Sequence, residues 1–105
     1  MRQEEFDFIV KERIEKIVSV LQKKGAEYAT YEDRLHNFKR AANLMRCTPA
    51  EALLGMYAKQ IVSVIDLVKQ GIREKEVIDE KIGDSINYLI LLEAILKEDV
   101  SVPKK

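Results

Sequence analysis

The sequence predicts an all-α fold: an antiparallel four-helix bundle of three long helices and one short one, assembled into an oligomer. Three observations predict it. Only four Gly and two Pro occur among 105 residues, too little turn chemistry for a many-stranded sheet. Apolar residues recur at three- and four-residue steps over long stretches, the period of a helix with one covered side. From Ile86 to Leu92 nearly every residue is apolar, a surface that a lone small bundle could not present to water.

The first helix is expected from Gln3 to Lys24, with Phe6, Ile9, Val10, Ile14, Ile17, Val18 and Leu21 on one stripe. Gly25 should end it, since glycine accepts the left-handed conformation that closes helices. Ala26 to Asp33 reads as a connection. A short helix should follow from Arg34 to Met45, with Leu35, Phe38, Ala41, Ala42 and Met45 making its apolar face. Thr48, Pro49 and Glu51 spell the start of the third: a threonine N-cap, a proline whose missing N–H is harmless there, and a glutamate that closes a capping box. That helix should reach Gly71, about 33 Å away at the usual rise per residue. The last should start between Arg73 and Glu76 and end near Glu98. One helical domain over residues 1–98 and a flexible tail over 99–105 are therefore expected.

Composition narrows the function. Eighteen Lys plus Arg balance eighteen Asp plus Glu, and zero net charge offers no broad electrostatic grip on a nucleic-acid backbone. Nucleic-acid binding is disfavoured. The longest apolar run, Tyr88 to Leu92, is far short of the roughly 20 residues of a membrane span. A single cysteine, Cys47, and the lack of an apolar h-region point to a cytoplasmic protein. His36 has no partner at zinc-ligand spacing, and the scattered glycines make no phosphate loop.

Two polar sets interrupt the apolar pattern while keeping to one face. On the last helix Glu80, Asp84 and Asn87 fall at i, i+4 and i+7, and their stripe continues into Leu91. Carboxylates four residues apart repel unless a cation lies between them, and Mg²⁺ is commonly held by one or two carboxylates plus substrate phosphates. The plainer alternative is a solvated start of a helix whose acids favour its dipole. On the third helix Lys59, Ser63 and Asp66 share a face. Lys59 could meet a phosphate as a point charge, or simply lay its stem over apolar surface. Asn37 beside Phe38 offers an amide and a ring, the pair that base recognition uses, although a phenylalanine at that spacing also suits a core.

In this order these residues resemble the MazG-like superfamily of all-α nucleotide pyrophosphohydrolases, and the phage nucleotide-modification-associated domains close to it. The similar features are Lys24-Gly25, Glu27-Tyr28, Asn37-Phe38, Lys59, Asp66, Glu80, Asp84 and Asn87-Tyr88, over roughly residues 20 to 96. The resemblance implies a dimer or tetramer that binds nucleoside phosphates through Mg²⁺ and, in active members, cleaves between the α- and β-phosphates. It implies metal binding by Asp66, Glu80 and Asp84, catalysis by Glu80, Asp84 and Lys59, and nucleotide contacts from Glu27, Tyr28, Asn37, Phe38, Lys59 and Asn87. Where active enzymes carry paired glutamates on the middle helix, this chain has Lys59, Gln60 and Ser63, and Lys81 also replaces an acid. A two-metal mechanism therefore does not carry over intact. Three functions stay open: a Mg²⁺-dependent nucleoside triphosphate pyrophosphohydrolase, an inactive nucleotide-binding or sequestering protein, and a structural helical oligomer.

Overall fold

Acidic Glu4 and Glu5 in the first turn and Lys16 in the last complement the dipole of α1, Gln3–Val18. Two pairs four residues apart stiffen it, Gln3 donating to Asp7 at 2.8 Å and Lys16 to Glu12 at 3.1 Å. In this computed structural model, which describes residues 1–24 and 33–101, the α-helical turn widens at Ser19 into a π-helical segment, Ser19–Lys24. The helical stretch thus reaches Lys24 as expected, but its last six residues depart from α geometry. Gly25, its expected stop, lies outside the described residues. No residue of α1 is buried.

The chain divides into two units, Met1–Glu32 and Asp33–Lys105. The second opens on a turn closed by Asp33, whose carboxylate accepts the Leu35 N–H at 2.9 Å while its carbonyl accepts that of His36 at 3.1 Å. This turn occupies Arg34 and Leu35, so α2 runs His36–Met45, two residues later than the spacing predicts. It ends at Arg46 in the left-handed conformation, φ 56°, where the Cys47 N–H returns to the Ala42 carbonyl at 3.0 Å.

The capping box forms as the sequence spells it. Thr48 Oγ1 accepts the Glu51 N–H at 3.2 Å, and Glu51 Oε1 accepts the Thr48 N–H at 3.0 Å. These bonds hold the Glu51 carboxyl below its ordinary range, the backbone one contributing most. From that start α3 runs Pro49–Lys69. Gly71 then takes φ 66°, a conformation that side chains disfavour, and the Ile72 N–H closes on the Leu67 carbonyl at 3.1 Å. Arg73 Nη1 donates to the same carbonyl at 3.0 Å and to that of Ile72 at 2.7 Å. The last helix, α4, runs Lys75–Ser101, three residues into the stretch expected as tail.

Helices α2, α3 and α4 share one core. Leu35, Phe38, Leu53 and Ile95 are its buried members, with Tyr57, Tyr88, Leu91 and Leu92 packed around them. Gln60 Nε2 donates to the Lys81 carbonyl at 3.0 Å, and the Tyr57 and Tyr88 rings lie 6.0 Å apart. Moving back along α3 from Gln60 to Tyr57 moves forward along α4 from Lys81 to Tyr88. Lys39 ties the short helix to the end of α4, pairing with Asp33 and with Glu98, the latter at 2.7 Å. The fold is all-helical among the described residues, with no strand and no helix long and apolar enough to cross a membrane.

Candidate functional site

The stripe of α4 that begins in acid does run into the core, because Leu91 packs on the buried cluster. Its acidic end is open. Glu80 and Asp84 are both exposed, the Glu80 side chain by 64%, and Glu80 reaches the adjacent Lys81 at 3.3 Å. Between the exposed acids and the core lies Asn87, half-buried, whose Oδ1 is sealed from solvent and accepts no hydrogen bond. An amide oxygen left in that state costs roughly 1–3 kcal/mol, so it calls for a donor.

On α3 the polar set is spread along the helix. Lys59 is exposed, Ser63 returns its hydroxyl to the Lys59 carbonyl at 3.3 Å, and Asp66 is half-buried. No hydrogen bond or ion pair joins Lys59 or Asp66 to Glu80 or Asp84 among the described residues. Asp66, Glu80 and Asp84 were expected around one ion, yet no three His, Cys, Asp or Glu side chains form a metal-ligand group among the described residues of one chain. Glu80 and Asp84 are exposed on α4 with Glu80 beside Lys81, whereas Asp66 is half-buried on α3. Two carboxylates one turn apart remain, a donor set that suits a hard cation whose other ligands are phosphate and water.

Glu27 and Tyr28 lie outside the described residues. Asn37 is exposed on α2, whereas Phe38 is buried with Leu35, Leu53 and Ile95, so its ring serves packing. Two features escaped the sequence reading. Gln60 spends its amide on the Lys81 carbonyl, which also accepts the Ser85 hydroxyl at 3.0 Å. The other is Lys39, held above its ordinary pKa first by the hydrogen bond from its ammonium to Asp33 and then by that to Glu98. Glu98 is 59 positions further along the chain, and no local pattern announces such a pairing.

A shallow apolar depression runs along α4, lined by Leu89, Leu92, Leu96 and Val100, and none of the polar candidates borders it. No protein-family model, characterised protein or solved structure matches this chain significantly.

Proposed function

We propose that the chain is a nucleotide-binding protein of an oligomeric helical-bundle type, a candidate Mg²⁺-dependent nucleoside triphosphate pyrophosphohydrolase whose site centres on the acidic stripe of α4. The observation that carries this reading is the Asn87 Oδ1, buried and without a donor three residues beyond the exposed Asp84. A base amine or a sugar hydroxyl that displaced the side chains covering it would satisfy it. Glu80 and Asp84 would hold Mg²⁺, which when bound neutralises phosphate charge and polarises water. Lys59 would add a point charge toward phosphate.

Gln60 and Ser63 are not carboxylates, which favours a site that binds more readily than it turns over. The two versions separate cleanly in one assay. Nucleoside triphosphates with Mg²⁺ should raise the melting temperature of the full chain, an occupancy of 100 times Kd being worth about 2.7 kcal/mol. Asp84→Asn and Asn87→Leu should abolish the rise, and release of pyrophosphate distinguishes enzyme from binder. No shift with any nucleotide would leave the structural oligomer, which the exposed Leu89 and Leu96 favour.

A further inference from the structure

Helix α3 carries two apolar stripes of identical spacing, displaced by one residue. The inner one is Leu53, Tyr57, Gln60, Val64 and Leu67; Leu53 and Leu67 are buried, and Gln60 is satisfied by the Lys81 carbonyl. The outer one is Leu54, Ala58, Ile61, Ile65 and Val68. It repeats the same 4-3-4-3 spacing over about 21 Å of helix, and all five are exposed, Leu54 by 50% and Val68 by 70%. Such a spacing is the a/d seam of a two-helix coiled coil.

We infer that the outer stripe of α3 is a homodimer seam, in which α3 of a second copy lies antiparallel across it with Ile61 on the two-fold axis. A two-fold contact must be self-complementary, and this stripe is so in two respects. Reversed about Ile61, Leu54 meets Val68 and Ala58 falls one residue from Ile65, so large residues stand opposite large at the ends and small beside large between. The charges agree. Glu51 and Lys69 lie five whole turns apart on the same side of α3, bordering the stripe at opposite ends, and both are exposed. An antiparallel partner sets Glu51 against Lys69 at each end, whereas a parallel one sets like against like. The hydrogen bonds from Thr48 lower the Glu51 pKa, which favours the carboxylate form. Repacking inside the seam excludes water from aliphatic surface that an isolated chain leaves wet.

The inference deepens the homo-oligomer part of the proposed function and does not use its nucleotide part. The test is disulfide trapping and sedimentation of the full chain in a Cys47→Ser background. Ile61→Cys should link to itself across the axis, and Leu54→Cys with Val68→Cys should also link between copies, while Leu54→Cys alone should not. Ile61→Glu should weaken the dimer at least about tenfold with its helix content kept, equivalent to 1.4 kcal/mol. Lys69→Glu should weaken it more than Lys69→Ala. A dimer that persists in Ile61→Glu, with the Ile61→Cys variant unlinked or joined instead to a cysteine placed at Ile14 or Leu96, overturns this seam and leaves the homo-oligomer standing. A monomer overturns both.

Discussion

Helices α1 and α3 are both long and amphipathic, but only one has its apolar side covered within its own unit. α3 buries Ala52, Leu53 and Leu67, while α1 leaves Phe6, Ile9 and Ile14 at least half exposed and buries nothing. The support of α1 includes acids at its start and two side-chain pairs four residues apart, each pair worth about 0.2–0.5 kcal/mol. What holds α3 is burial, where a single leucine contributes about 1.5–3 kcal/mol. The contrast teaches that a helical period announces a face to be covered without supplying the cover. It also predicts faster amide exchange in α1 than in α3, since local openings expose helices with few buried contacts first.

The largest expected effect tests that contrast directly. Leu53→Ala should cost about 2–5 kcal/mol in urea or guanidinium unfolding, against less than about 0.5 kcal/mol for Ile14→Ala, both in the Ile61→Glu background. Equal losses would erase the difference between the two helices. Next come the two left-handed positions of the second unit, which should respond with opposite sign. Gly71→Ala should destabilise by about 1–2 kcal/mol through backbone strain alone, because a Cβ there meets nothing within 4 Å. Arg46→Gly should stabilise by about 0.5–1 kcal/mol by relieving the same strain at φ 56°.

The caps sharpen the comparison further. Thr48→Ala removes an acceptor from the start of α3 and should cost about 1 kcal/mol, whereas Arg2, at the start of α1, makes no side-chain cap, and Arg2→Ala should be neutral in the same melts. The smallest effect is the Lys39 clamp. The Lys39 hydrogen bond first, and the Leu35 N–H second, hold Asp33 below its ordinary 3.8, so its contribution is complete above that value and disappears as pH falls through the lower folded value. Lys39 is held above 10.5, and its contribution is complete below that value and disappears as pH rises through the higher folded one. Both side chains are about two-fifths exposed, which discounts the clamp to about 0.5 kcal/mol. Lys39→Met should therefore lower Tm slightly at neutral pH and flatten its acid dependence below about pH 4. An unchanged acid limb would assign that dependence to other carboxylates.

Helix class, the start of α3 and the turn at Gly71 were legible in the residues alone, because capping and chain reversal act within about four residues of the groups that cause them. The start of α2 lies two residues beyond where the spacing predicts it, since Asp33 competes for the first N–H groups with a turn of its own. The candidate site was legible only as a stripe. Glu80, Asp84 and Asn87 do share a side of α4, but which of them is sealed depends on what lies against that side, and the short α2 joins the core near the far end of α4, around Ile95 and Glu98. The sequence by itself determined a set of helices and their ends. Only the tertiary structure decided that Leu53 rather than Leu54 turns inward, that Lys39 finds Glu98, and that Asn87 loses its solvent. Two stripes of equal period differ only in the partner each meets, and that partner lies too far along the chain for local forces to choose.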